Sequence, residues 1–208
     1  MHYPVTVLGY GTRIGIWFQG CSIGCRGCVS RDTWASGAGV EASVEDVIAT
    51  CDAWAGQAQL DGITISGGEP FDQPRGLVRL LYALDGWLGG RRESVDVLCY
   101  SGYPEHRLRA RYPEILAELD AVIPEPYVAR RAPGGRWRGS NNQTVVPLTP
   151  LGRDRYADIS PRTPESPEIQ FVVDDDIWFI GIPRPGDMDA IEANLRQRGI
   201  LVTATSWR

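Results

Sequence analysis

Three of the five cysteines lie within eight residues, at Cys21, Cys25 and Cys28. Thiolates are soft ligands that select zinc and iron–sulfur clusters. A structural zinc ion takes four ligands, and here only His2, His106 or a distant cysteine could supply the fourth. Three cysteines on a four-iron, four-sulfur cluster would leave one iron open to an external ligand. The loop therefore indicates a metal centre, and its ligand count favours a cluster with an open iron.

The other two cysteines are expected to be structural. Cys51 falls on the apolar stripe of a helix predicted from residue 44, and Cys99 falls in an apolar strand. Buried cysteine behaves as a small hydrophobic residue in such places, so we predict no auxiliary cluster. An odd number of cysteines also argues against a disulfide framework.

Composition restricts the partners and the compartment. The chain has 208 residues and a net charge of −5, which would repel a phosphate backbone and argues against nucleic acid. No apolar run approaches the ~20 residues needed to span a bilayer, and the N-terminus lacks the basic and apolar regions of a signal peptide. We therefore expect a cytoplasmic protein with no membrane partner.

Strand and helix signals alternate along the first 123 residues. Strands are predicted over 14–18, 62–66 and 95–100 and from residue 121, and helices over 44–54, 77–88 and 113–119. This alternation favours an α/β fold with a parallel sheet and its helices packed outside.

The second half of the chain is less regular. Eight prolines between residues 124 and 167 predict a loop. Further on, we predict strands over 168–173 and 177–182 around the acidic turn 174–176, a helix from Asp187 and a last strand over 200–203. The chain is accordingly divided into a core over 1–145, a Pro-rich connection over 146–167, and a strand-helix-strand region over 168–208 that completes or extends the sheet within one domain.

The spacing Cys-x-x-x-Cys-x-x-Cys resembles the cluster motif of the radical S-adenosylmethionine (SAM) superfamily. The resemblance implies a [4Fe-4S] cluster on Cys21, Cys25 and Cys28, with SAM bound to the open iron through its amino and carboxylate groups. One electron passed to the sulfonium then yields a 5′-deoxyadenosyl radical that abstracts hydrogen.

A second motif, Gly67-Gly68-Glu69-Pro70, follows the next predicted strand and resembles the methionine-binding motif of that superfamily. The resemblance implies that Gly67 and Gly68, which lack Cβ, let the backbone approach the methionine moiety, and that Glu69 reinforces the ammonium contact. It also implies a partial (β/α)6 TIM-like barrel, with a short C-terminal α/β extension and the site at the C-terminal strand ends.

Further segments resemble small glycyl-radical activating enzymes. Residues 13–21 and 30–34 are similar to the flanks of their cysteine loop, and residues 100–103 to their third-strand end, which implies a cofactor contact from Ser101. Residues 137–143 resemble a late motif of the anaerobic ribonucleotide reductase activating proteins. The resemblance implies a glycyl-radical enzyme as protein substrate and an electron donor such as flavodoxin or ferredoxin.

Two other functions remain open at this point. A radical SAM enzyme of the same fold could act on a small molecule or peptide, using the region beyond residue 146 for its substrate. A non-enzymatic iron–sulfur or zinc-binding module would bind no SAM. The sequence also places Gly27 where many radical SAM enzymes have an aromatic residue, and the arginine-rich loop 130–138 is either a partner contact or solvated surface.

Overall fold

A computed structural model describes residues 1–56, 59–157, 169–173, 177–202, 205 and 207 of the protein. These residues form a six-stranded sheet in which the strands follow chain order. The four inner strands are parallel, and the two edge strands run antiparallel to their neighbours. The strands are β1 (His2–Val5), β2 (Arg13–Phe18), β3 (Gly62–Gly67), β4 (Asp96–Tyr100), β5 (Ala121–Ile123) and β6 (Val146–Pro147).

Six α-helices are present in the described part of the chain: α1 (Val44–Ala55), α2 (Pro74–Leu88), α3 (Glu105–Arg111), α4 (Pro113–Ala117), α5 (Pro150–Tyr156) and α6 (Asp187–Gln197). Helix α1 begins at a capping box, because the Ser43 hydroxyl accepts from the Asp46 amide while the Asp46 carboxylate accepts from the Ser43 amide. Helix α2 buries leucines at helical spacing, namely Leu77, Leu80, Leu81, Leu84 and Leu88.

The main core lies between the helices and one face of the sheet. Ile63 and Ile65 of β3 are fully buried there against the leucines of α2, together with Cys51 of α1. Parallel strands flanked by helices bury both faces, and residues 62–65 of β3 and 96–99 of β4 are accordingly all buried. Cys51 and Cys99 are both buried, as the apolar patterns around them predicted.

A buried ionic network fills the starting ends of the parallel strands. Arg13 donates to both carboxylate oxygens of Asp96 at 2.9 and 2.8 Å and to the Thr64 hydroxyl at 2.6 Å. Arg155 and the Tyr156 hydroxyl, both from α5, also donate to Asp96. Burial alone would raise the pKa of Asp96, but the Arg13 guanidinium outweighs it and holds the pKa below its usual value. The network therefore anchors α5 to the sheet.

The α/β class and the parallel sheet are confirmed, whereas a barrel is not. After β5 the chain returns as β6, which pairs antiparallel with β5, so the parallel repeat stops there and the sheet made by the described residues stays open. The prediction of loop throughout 124–167 is wrong over β6 and α5. Thr149 caps α5 by accepting from the Gly152 amide, a local signal that the surrounding prolines obscured.

The C-terminal region forms a separate two-stranded sheet. Strands β7 (Ile169–Val173) and β8 (Ile177–Gly181) pair antiparallel with each other and do not extend the central sheet. Ile180 packs against Val5, Val7 and Leu8 and attaches this hairpin to the β1 side. The predicted acidic turn 174–176 lies outside the described residues, and residues 200–202 of the predicted last strand are not in a strand.

Candidate cluster and cofactor site

The three clustered cysteines lie on residues 19–30, here called the cysteine loop, directly after β2. The Gly20 amide donates to Thr33 O at 2.7 Å and the Cys21 amide to Trp34 O at 3.0 Å, so the loop is closed at its base. Each of the three thiols is free and partly buried. Among the residues described, no three His, Cys, Asp or Glu side chains are gathered into a group that could hold a single metal ion.

The environment of the loop makes bare thiolates unfavourable. Burial raises the pKa of the Cys25 and Cys28 thiols, and the neighbouring cysteines raise it further. Metal binding deprotonates thiols and supplies a positive charge beside them. Three unpaired thiols on one loop, with no fourth cysteine beside them, fit a [4Fe-4S] cluster that keeps one iron open.

The Gly-Gly-Glu-Pro motif lies against the base of the cysteine loop. The Gly68 amide donates to Phe18 O and the Glu69 amide to Gly20 O, both at 2.8 Å. A Cβ on Gly68 would lie only 2.1 Å from Gly20 O, and Gly67 has a φ of +110°. The glycines are thus required by the close approach of two backbone segments within the protein. Their contact with the methionine moiety of SAM stays a prediction.

Glu69 has a carboxylate that is fully engaged by the protein. It accepts from the Ser101 hydroxyl at 2.9 Å, the Gly102 amide at 2.7 Å and the Phe71 amide at 3.0 Å. Burial raises the pKa of Glu69 to about 7, although these hydrogen bonds act in the opposite direction. The structure therefore brings Glu69 and Ser101 together at the carboxyl ends of β3 and β4. A direct contact of either residue with SAM stays a prediction.

Tyr127 occupies the space beside Gly27, and the sequence did not indicate it. A Cβ on Gly27 would lie 3.5 Å from Cε1 of Tyr127, and one on Gly139 would lie 2.9 Å from Cδ2 of the same ring. The ring is therefore held between two glycines, one in the cysteine loop and one in the late motif. A tyrosine after a Pro-Glu-Pro segment carries no local signal for such a position.

The late motif forms a compact loop of its own. The Gln143 side chain accepts from the Gly139 and Ser140 amides at 2.9 and 3.2 Å and donates to Glu125 O. Trp137 is 7% exposed and packs edge-on against Tyr156, with ring centroids 5.4 Å apart. These contacts therefore fix the conformation of the chain that follows β5.

Comparison with known proteins also supports an iron–sulfur cluster at this site. A family described as "4Fe-4S single cluster domain" matches residues 7–146. The chain is 30% identical over 155 residues to the anaerobic ribonucleoside-triphosphate reductase-activating protein of Haemophilus influenzae, covering 69% of this chain and 94% of that protein. The protein of the same name from Pasteurella multocida is 30% identical over 159 residues, covering 71% and 96%.

A second group of relatives consists of longer proteins, of which the match covers about half. The pyruvate formate-lyase-activating enzyme of Listeria monocytogenes is 31% identical over 134 residues, which covers 59% of this chain and 52% of that enzyme. The match thus extends to two kinds of activating protein.

The chain belongs to the family of 4Fe-4S single cluster domains. Within it, the chain is a radical SAM enzyme of the activating type, and its cofactors are a [4Fe-4S] cluster and SAM, as the two sequence motifs predicted. No helix among the described residues has the length and apolar character needed to cross a membrane.

Proposed function

We propose that this chain activates a glycyl-radical enzyme, with an anaerobic ribonucleotide reductase as the first candidate, by removing a hydrogen atom from a backbone glycine of that partner. The observation that carries the proposal is the backbone hydrogen bond from the Glu69 amide of the Gly-Gly-Glu-Pro motif to Gly20 O of the cysteine loop. This contact supports a site in which the cluster ligands and the residues expected to receive SAM act together. The names of the relatives support the choice of partner.

Each part of the site has a separate task in this proposal. Cys21, Cys25 and Cys28 would hold the cluster, which, with SAM bound, supplies one-electron chemistry that generates a hydrogen-abstracting radical. The backbone at Gly67 and Gly68 would meet the methionine moiety. The Glu69 carboxylate holds the Ser101 hydroxyl and the Gly102 amide in place, so the carboxyl ends of β3 and β4 keep a fixed separation.

The finer features of the fold and partners belong to the same proposal. A partial (β/α)6 barrel would take the parallel strands β2–β5 as its first part, with residues 1–145 as the core. A one-electron carrier such as flavodoxin or ferredoxin would reduce the cluster, which the partly exposed cysteine loop permits. We place the protein in the cytoplasm, where such carriers and ribonucleotide reductases act.

The test is anaerobic reconstitution with iron and sulfide, followed by reduction and electron paramagnetic resonance (EPR) with and without SAM. We expect a cluster signal that SAM perturbs, formation of 5′-deoxyadenosine, and loss of both in Cys25→Ala. Cys51→Ala is the matched control, because that buried thiol lies outside the cysteine loop. Bound zinc, or a cluster whose EPR signal does not change with SAM, would instead indicate a non-enzymatic binding module.

The partner is tested separately. An anaerobic ribonucleotide reductase, ideally one encoded beside this chain, is incubated with the reduced enzyme and SAM, and a glycyl radical signal is sought by EPR. SAM cleavage without that signal on any glycyl-radical protein tested would instead favour an enzyme acting on a small molecule or peptide.

A further inference from the structure

Asp72 joins the cysteine loop to the ends of two strands. Its carboxylate accepts from the Ser22 amide at 2.7 Å, from the Ser22 hydroxyl at 3.0 Å and from the Tyr103 hydroxyl at 2.5 Å. Ser22 lies in the cysteine loop, Asp72 follows β3 and Tyr103 follows β4. We call these three residues the Asp72 latch. Hydrogen bonds to an ionised group are about twice as strong as neutral ones, so the latch is a strong local connection.

The phenol of the latch is held as a hydrogen-bond donor. Burial and the hydrogen bond to Asp72 raise the pKa of Tyr103, so its hydroxyl keeps its proton at neutral pH. The guanidinium carbon of Arg107 lies 3.7 Å from the Tyr103 ring centroid. Arg107 Nε has no hydrogen-bond partner among the described residues. A cation over the ring fixes the orientation of the ring.

The latch is connected to both halves of the proposed site. Ser22 directly follows the ligand Cys21. On the other side, the Tyr103 amide donates to the Ser101 hydroxyl at 3.0 Å, and that hydroxyl donates to Glu69. A continuous set of hydrogen bonds therefore runs from the residue beside a cluster ligand to the residues expected at the SAM site.

The loop rests on the same strand end through an apolar contact. A Cβ on Gly102 would lie 2.5 Å from Cδ1 of Ile23, so the Ile23 side chain occupies the space that this glycine leaves open. Ser22 and Asp72 are exposed, whereas Tyr103 is 8% exposed. The latch therefore connects an exposed loop to a buried and rigid support.

We propose that Asp72 is a positioning residue that orders the cysteine loop and fixes Cys21 relative to the ends of β3 and β4. The carboxylate would make no contact with the cluster or with SAM. It would act by holding the Ser22 amide, so that the loop presents its thiols in one arrangement before iron arrives and releases iron slowly afterwards. Its importance for catalysis rests on the proposed function, whereas its effect on the order of the loop does not.

Amide hydrogen exchange in the apo protein tests the latch without any cluster. In Asp72→Ala we expect peptides covering residues 19–29 to exchange about tenfold faster than in the wild type, because the Ser22 amide loses its acceptor. Tyr103→Phe, which keeps the ring over Arg107, should give a smaller increase. Asp154→Ala is the matched control, since Asp154 is an exposed acid on α5, and it should leave these peptides unchanged.

The loaded protein gives a second readout. Iron release to a chelator should be about tenfold faster in Asp72→Ala than in the wild type, and Asp72→Asn, which keeps one acceptor oxygen, should lie between them. Unchanged exchange and unchanged iron release in Asp72→Ala would overturn the proposal. If Asp72→Ala does not fold, Tyr103→Phe and Ser22→Ala decide by the same measurements. Faster exchange in a protein whose wild type cleaves no SAM would leave the latch standing and refute the proposed function.

Discussion

Replacing Gly68 by alanine tests the contact between the two motifs most directly. The new Cβ would lie 2.1 Å from Gly20 O and 2.8 Å from Thr33 O, and both are backbone atoms that cannot rotate away. Ordinary contacts at such a position begin at 3.4 Å. The base of the cysteine loop must therefore move by roughly 1 Å, a displacement that typically costs about 100-fold in rate when it misplaces reacting groups.

The assay is the rate of 5′-deoxyadenosine formation by reduced, reconstituted Gly68→Ala under saturating SAM, with thermal unfolding of the apo protein recorded in parallel. Gly86→Ala is the matched control, because nothing lies within 4 Å of the added methyl group in helix α2. That variant should keep full activity and gain roughly 0.5–1 kcal/mol of stability. A Gly68→Ala enzyme that is folded and cleaves SAM within about threefold of the wild-type rate would refute the reasoning.

Three further predictions follow from the buried groups. Arg13→Met should lower the free energy of unfolding of the apo protein by about 3–5 kcal/mol in urea titrations. Arg109→Met removes an exposed ion pair and should change it by less than about 1 kcal/mol. Equal effects of the two substitutions would contradict a stabilising role of the buried network. The pKa of Glu69 is raised in the folded state, so the folded protein holds that proton more tightly than the unfolded chain does. The free energy of unfolding of the wild type relative to Glu69→Gln should therefore fall as pH rises from about 4.5 to 7 and then level off. A difference in unfolding free energy that does not change with pH would contradict the raised pKa. Cys51→Ala and Cys99→Ala should keep the iron content of the wild type after reconstitution, and a loss of iron in either would assign that thiol a ligand role.

The parallel strands and long helices were predictable because their signals are local. Residues 62–66 combine β-branched residues with a bounding glycine, which is typical of a strand, and the leucines of α2 recur at helical spacing because they are buried against the core. Strand β6 has two residues and exists because it pairs with β5 across 23 intervening residues or more, which no local pattern records. The ionic network was hidden for the same reason, since Arg13 and Asp96 meet only when β2 and β4 are placed beside β3.

The candidate site also has a part that local sequence predicts and a part that it does not. The cysteines lie within one short segment and the Gly-Gly-Glu-Pro motif within another, so residue type and spacing indicate the chemistry of each. Asp72 and Tyr127 carry no such signal, because each matters through its contact with a distant loop. Tyr103 lies in the segment 100–103, but its hydrogen bond to Asp72 depends on the fold and was not indicated. Gly68 also has a structural role that the sequence did not indicate, since its backbone lies close to Gly20, while its approach to a ligand stays a prediction.

The three cluster ligands lie within one short loop, and this has a consequence for repair after exposure to oxygen. Binding a cluster to residues 21–28 closes very little chain, so it restricts the unfolded protein far less than a ligand set drawn from distant elements would. The sheet, its leucine-rich core and the Arg13 network hold together through contacts elsewhere. A cluster lost to oxidation would therefore leave a folded scaffold that needs only iron, sulfide and reduced thiols to recover, without passing through the unfolded chain.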